Sequence, residues 1–427
     1  MEDRNFSAEL QGRVSRFKGD LLRAGFSRPL ARGMSDVLFA LLKCRHVHVT
    51  ALARALNEKI SPKKTWERLR RCLARPGLWR RLLDTHMRLH AAAIRRMRYC
   101  VLDVSDVQKP YAVKQEGLAK VRDGSRSRGK TQVIGMGYWW VNAVMSDGND
   151  LLPVHSELFS VTQEAHDHQS ENRKLVEAAT RLHAVNPAAV MVIDRGGDRE
   201  TIIEPLFAGG ISFIIRGMSS RNLRLHADST KKTNIAEIAR RVHPTAQHIL
   251  RREGRHGRGK KMVFSVGIRR VYFGDHGLWL VACHRHGGGL SWFLTTVAGS
   301  REDVMRTVLE GYGERWRIEE IHRQLKQDFH FERIAVRDYP SLKALGVLVM
   351  LAAAFLMQLP ASLRQGMMAV SNVLPRKRLS DIPHYVFYML GEAVAKLLAA
   401  AGKQPPTPLR LRRRDYWQLK LNLVSAA

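Results

Sequence analysis

The nine residues from Tyr99 to Val107, YCVLDVSDV, restrict the fold more than any other segment. They are a short run of apolar side chains, rich in β-branched valine, with two carboxylates, Asp103 and Asp106, set into it. Such a run suits a strand inside a sheet, and the odd spacing sends the two acids to opposite faces. Asp103, which directly follows the apolar residues, is the preferred functional candidate. Thr131–Val141 and Leu151–Phe159 read as two further strands, joined by Gly- and Asp-containing turns. A helix over Asn172–Leu182, a buried strand over Ala188–Ile193, a helix over Glu200–Phe207 and a strand over Ile211–Ile215 complete the series. Three strands, helix, strand, helix, strand predict an α/β core, a mixed sheet covered by helices.

The flanks differ from this core. Residues 1–98 show apolar positions at helical spacing (Val37, Leu38, Leu41, Leu42) and carry 23 Lys and Arg against 8 Asp and Glu. Within them Val49–Leu56 and Thr65–Leu73 are expected as two short helices broken at Asn57–Pro62. That pattern reads equally as a helix-turn-helix, with Arg68 and Arg71 toward DNA, and as a hairpin with a solvated basic face. Residues 217–298 are expected to be a mostly β insertion with a basic, Gly-rich loop at 251–261. Residues 299–357 return to the core with one long helical region from Glu302 to Lys326. Residues 358–427 form a helical and basic end containing Arg410–Arg414.

The full chain has 427 residues, 45% hydrophobic, and a formal net charge of +32. So large an excess opposes compaction and favours a polyanionic partner. Nucleic acid fits better than an anionic membrane, because no long Lys-rich amphipathic tail is present. The four cysteines show no metal or disulfide spacing, which points to a reducing compartment. The apolar run Ala344–Met357 is short for a membrane span and reads as a core helix. A cytoplasmic location, near the nucleoid, is expected.

Asp103 and Asp194 each follow an apolar strand, where open α/β sheets place their ligands. One such aspartate is commonly a turn residue. Two in a very basic domain point to a divalent cation held by hard oxygen ligands. The helical stretch GYGERWRIEEIHRQLKQDF then aligns Tyr312, Arg315, Glu319 and Lys326 on one stripe. Beside that stripe lies an apolar face of Ile318, Ile321, Leu325 and Phe329. The bland reading of the stripe is an i, i+4 ion pair between Arg315 and Glu319.

The order Y-x-x-R-x-x-x-E-x-x-x-x-x-x-K at Tyr312, Arg315, Glu319 and Lys326 resembles the signature of the bacterial DDE transposases of the insertion-sequence-four family. VLDVSDVQK around Asp103, DRGGDRE from Asp194, and FLTT upstream of the signature agree with it. The resemblance implies an RNase H-like catalytic core with a β insertion. It makes Asp103, Asp194 and Glu319 the ligands of two Mg²⁺ or Mn²⁺ ions. It makes Tyr312, Arg315 and Lys326 contacts to the DNA end, and Trp292, one step from the family's position, a stacking residue. It further implies cut-and-paste transposition of duplex DNA by a homodimer. The alternatives are an RNase H-like nuclease or resolvase without strand transfer, and a non-catalytic DNA-binding repressor.

Overall fold

The computed structural model describes residues 6–400, apart from 125, 128–130, 149, 163–169, 254–258, 372 and 374–385. The basic tail at Arg410–Arg414 and the tip of the anticipated 251–261 loop lie outside the described residues. The centre of the molecule is β1 (Tyr99–Gln108), whose first four residues are all buried. It pairs antiparallel with β3 (Ile134–Asp147) and parallel with β5 (Val190–Ile193), which runs parallel to β6 (Phe213–Arg216). β3 also carries β2 (Ala119–Arg122) along its first residues and β4 (Asp150–Phe159) along the remainder. The order β4-β3-β1-β5-β6, three antiparallel strands followed by two parallel to the first, is consistent with the expected RNase H-like core.

Each strand residue chooses its face by parity. Tyr99 and Val101 of β1, with Val190 and Val192 of β5, face α10 (Arg301–Glu314), α11 (Trp316–Asp328) and α12 (Tyr339–Met357). Cys100 and Leu102, with Met191 and Ile193, face α7 (Glu171–Val185) and α8 (Glu200–Ala208). The anticipated apolar face of α11 is fully used, since Ile318, Ile321, Leu325 and Phe329 are all buried. α12 is long and apolar enough to cross a membrane, yet 89% of its most apolar window is buried in the protein, so it is a core helix here.

Gly311 fixes how closely α10 approaches the sheet. A Cβ there would lie 2.7 Å from Tyr99 Cε1 and 2.9 Å from Ile214 Cδ1. Gly311→Ala is expected to cost about 1–3 kcal/mol through overpacking, despite alanine's better helix propensity. A Tm equal to or above wild type would refute that close approach.

The helical part comprises α1 (Phe6–Arg23), α2 (Arg28–Cys44), α3 (Val49–Leu56), α4 (Pro62–Leu73), α5 (Leu78–Leu89) and α6 (Ala91–Arg96). α2, α4 and α5 pack against α12, and α13 (Ala361–Val370) and α14 (Phe387–Ala400) close over α1 and α2. One continuous apolar core therefore joins the helices before β1 and those after α12 to the sheet.

Four details depart from the sequence expectations. β2 was not anticipated, and β3 begins at Ile134 and runs to Asp147. The insertion contains a short helix, α9 (Ile235–Arg240), besides its strands, which begin with the short pair β7 (Asn222–Arg224) and β8 (Lys232–Asn234). Its longest strand, β10 (Gly259–Phe273), pairs antiparallel with β9 (Ala246–Glu253). Residues 251–253 and 259–261 of the anticipated loop thus belong to a hairpin, because cross-strand pairing satisfies their backbone groups. The long helix from Glu302 is broken at Arg315 into α10 and α11. The insertion is not a separate layer, since β12 (Leu290–Thr295) pairs with β6 and continues the sheet through β11 (His276–Arg285).

Candidate active site

Parallel pairing of β1 with β5 brings the two aspartates together. Leu102 and Ile193 are register partners, so Asp103 and Asp194 are the next residues of adjacent strands. Both have the parity that faces α10 and α11. The Asp194 side chain also caps the following turn, Oδ1 accepting from Gly196 N at 2.6 Å. The turn must be tight there, since a Cβ at Gly197 would stand 2.4 Å from Ile193 Cγ2. The second acid of DRGGDRE has a different task. Asp198 is wholly buried and holds Arg221 Nε at 2.8 Å and Met218 N at 2.6 Å, tying the segment after β6 to this turn.

α11 is seated by its apolar face and carries Glu319 toward the aspartates. Burial, then the neighbouring Asp194, push the Asp103 carboxyl up to about 7; Arg315 works against them and Glu319 adds to the rise. Four charged groups therefore share one site. The carboxylates are not closed into a ligand set: among the described residues no three His, Cys, Asp or Glu side chains are arranged to hold a metal ion. Glu319 instead pairs with Arg315 at 2.7 Å, the i, i+4 pairing that the helix spacing offered as the bland reading. Like charges repel in a site of low dielectric, and the guanidinium is the partner within reach.

The remaining signature residues flank this centre. The Arg315 guanidinium lies over the Tyr312 ring at 5.6 Å, and that ring packs on Phe293 at 4.5 Å. Lys326 donates to the Asp106 backbone oxygen at 2.8 Å and pairs with Glu332 at 3.2 Å. Asp106 itself accepts from Gln108 Nε2 and Gly124 N, remote in role from Asp103. Trp292 has the opposite parity to Phe293; it packs partly buried in the core under α8 and α9, with its indole Nε1 unpartnered among the described residues. That is the face away from Tyr312, so the structure separates Trp292 from the signature residues.

Arg68 and Arg71 of α4 part company. Arg68 donates to Asp36 at 2.6 Å and to Glu58 at 2.7 Å, which turns it inward as a tie between α2 and α4. Arg71 is exposed, as are Lys63, Lys64 and Arg70.

Three neighbours of the site were not singled out from sequence. Arg216 ends β6 beside Asp194, one step beyond the Ile193–Ile215 pair. Asn142 stands opposite Asp103 across the β1–β3 ladder and is 3% exposed. His322, one turn beyond Glu319, places Nδ1 3.6 Å from Asp103 Oδ2 and packs its ring against Trp140 at 4.9 Å. The register of a distant strand cannot be read locally, and a lone histidine inside a charged helix carries no distinguishing pattern.

The raised Asp103 carboxyl has a consequence for stability. The folded state holds that proton more tightly than the unfolded chain, so stability is fullest at low pH and falls as pH rises from about 4 to about 7. Asp103→Asn removes this penalty and is expected to stabilise the fold by about 1–2 kcal/mol at pH 8, less than the full shift because a quarter of the side chain (25%) is exposed. Denaturant midpoints at pH 5 and pH 8 check it; a gap between variant and wild type that does not widen at pH 8 would contradict the buried charge.

Residues 142–355 match the family defined as Transposase DDE domain. The match spans half of the chain and takes in Asp194 and Glu319, while Asp103 precedes it. No curated protein matches this sequence. The chain belongs to the DDE transposase family.

Proposed function

We propose that this DDE transposase cuts the ends of a mobile DNA element and joins them to target DNA, in a cut-and-paste reaction of the insertion-sequence-four type. The observation that carries the reading is the meeting of Asp103, Asp194 and the Glu319 helix at the ends of parallel strands, with Arg315 and Lys326 on either side.

The residues present fit a divalent cation. The donors are hard carboxylate oxygens, the preferred partners of Mg²⁺ and Mn²⁺. Burial, reinforced by the neighbouring Asp194, leaves Asp103 half-protonated near neutral pH, a state that a cation relieves. Asp103 and Asp194 would hold it, with Glu319 after release from Arg315. Two such ions, when bound, would supply activation of water or a 3′-hydroxyl and stabilisation of the leaving oxygen.

The chain's own residues do the rest. Arg315, freed from Glu319, offers a planar fork to a backbone phosphate, and Lys326 a point charge. Tyr312 supports the Arg315 guanidinium from beneath. The exposed cations of α4 (Lys63, Lys64, Arg70, Arg71) bind duplex DNA by phosphate neutralisation, and the net charge makes that binding steeply salt-dependent. The active form is a homodimer in the cytoplasm that holds two DNA ends. Residues 1–98 serve as the DNA-binding region and residues 99–357 as the catalytic core with its insertion at 217–298.

The test is incubation of the full-length protein with duplexes carrying the repeats that flank its gene, plus a target duplex, with and without Mg²⁺ or Mn²⁺. Metal-dependent cleavage at the repeats followed by joining to the target is expected. Cleavage without joining would reduce the protein to a nuclease, and binding without cleavage would make it a repressor.

A further inference from the structure

We propose that Asn142 and His322 are positioning residues that hold the Asp103 carboxylate from two sides. The inference rests on the reading of Asp103 as a cation ligand. Asn142 is the cross-strand partner of Asp103, and partners in an antiparallel pair project from the same face with Cβ atoms about 4.5–5.5 Å apart. It is 3% exposed, yet its Nδ2 has no hydrogen-bond partner among the described residues. A buried amide donor left unmade is costly, and an apolar side chain would serve a merely packed position better. Its register partners are Asp103 on β1 and Ser156 on β4; Ser156 Oγ already accepts from Trp140 Nε1 at 2.8 Å, which leaves the Asp103 carboxylate as the acceptor for the amide.

His322 approaches from the helix. Nδ1 lies 3.6 Å from Asp103 Oδ2, just beyond hydrogen-bond range, and Nε2 is buried without a partner among the described residues. The ring is clamped against Trp140, itself packed at a tilt on Phe331 at 4.6 Å and anchored by Nε1 donating to Ser156 Oγ at 2.8 Å. With its other nitrogen enclosed, the imidazole has one productive place for its proton, on Nδ1 toward Asp103. Two neutral donors on one carboxylate leave its remaining lone pairs for a cation and fix the rotamer that presents them. Neither donor adds charge to a site already crowded with it.

The experiment measures Mn²⁺ binding by titration of full-length protein, alongside Tm, for wild type, Asp103→Asn, Asn142→Leu, His322→Leu and His322→Asn. Asn142→Leu is expected to keep or raise Tm, since it removes an unmade donor, while weakening Mn²⁺ binding about tenfold. His322→Leu is expected to weaken binding similarly. His322→Asn, whose Nδ2 reaches near the former Nδ1, should recover most of the affinity while being the less stable of the two in that apolar clamp. Opposite rankings in Tm and in affinity separate positioning from packing. Affinity that follows Tm, or stays at wild type in both leucine variants, overturns the proposal. If Asp103→Asn also leaves binding unchanged, the cation-ligand reading falls with it; if only Asp103→Asn weakens binding, that reading stands and the two positioning roles fall.

Discussion

Replacing Glu319 by glutamine is expected to slow metal-dependent DNA cleavage at least about a thousandfold, equivalent to a loss of some 4 kcal/mol of transition-state stabilisation. The amide keeps the shape of the side chain but removes the charge that would help to neutralise a divalent ion. The fold should barely notice. Glu319 is 32% exposed, and its pairing with Arg315 is the kind of half-exposed contact that contributes little to stability. DNA binding should also persist, since Arg315 loses its internal partner and becomes freer for phosphate. A second readout follows from the shared electrostatics. Glu319 helps to raise the Asp103 carboxyl, so the variant should titrate Asp103 lower, visible in a carboxyl-resolved NMR titration. Cleavage by Glu319→Gln within tenfold of wild type would remove Glu319 from the catalytic set.

Glu157→Gln is expected to destabilise the protein by about 3 kcal/mol, the low end of the cost of breaking a buried ion pair. Glu157, on the edge strand β4, is 5% exposed and receives Lys174 Nζ from α7 at 3.0 Å and Lys343 Nζ from α12 at 2.9 Å. One carboxylate thus ties helices on opposite faces of the sheet across its edge. Burial pushes the carboxyl up, but Lys343, His155 and Lys174 outweigh it and hold it at about 2. Lys343 also lies 3.9 Å over the Trp79 ring of α5, so the N-terminal helices share the arrangement. A carboxyl depressed in this way stabilises the fold above its unfolded value of about 4.5 and loses that contribution as pH falls through about 2. The difference between wild type and variant should therefore be full at pH 7 and shrink below about pH 4.5. Replacing all three residues together, Glu157→Leu with Lys174→Leu and Lys343→Met, should recover most of the loss, because no charge remains buried without its counterpart. A Gln variant that melts with wild type would show that the carboxylate's charge contributes nothing.

The two sites differ in how visible they were beforehand. The proposed metal-binding aspartates follow from local pattern: an apolar run that ends in aspartate sets the residue at a strand end. The seating of α11 was equally legible, because helical spacing alone places Ile318, Ile321, Leu325 and Phe329 on one side. Glu157, Lys174 and Lys343 offered no such pattern. They are separated by up to 186 residues, and each alone reads as an ordinary surface charge. Arg68 is the reverse case, an arginine on an amphipathic helix that looked available to DNA and is taken by Asp36 and Glu58.

What the amino-acid order determined by itself is what short-range physics encodes: an α/β core, the succession of strands and helices along the chain, Asp103 and Asp194 at strand ends, and the stripe of Tyr312, Arg315, Glu319 and Lys326. Each depends on backbone periodicity and on which side chains water rejects, and both are properties of a few consecutive residues. Tertiary structure alone decided which charges meet. It kept Glu319 off the aspartates and so left it to its helix neighbour Arg315, placed Asn142 and His322 beside Asp103, turned Arg68 inward and Trp292 to the far face, and buried Glu157 between two lysines. Those outcomes depend on strand register and helix docking across long sequence separations. Electrostatic energies inside a protein vary with distance and burial that no local pattern specifies.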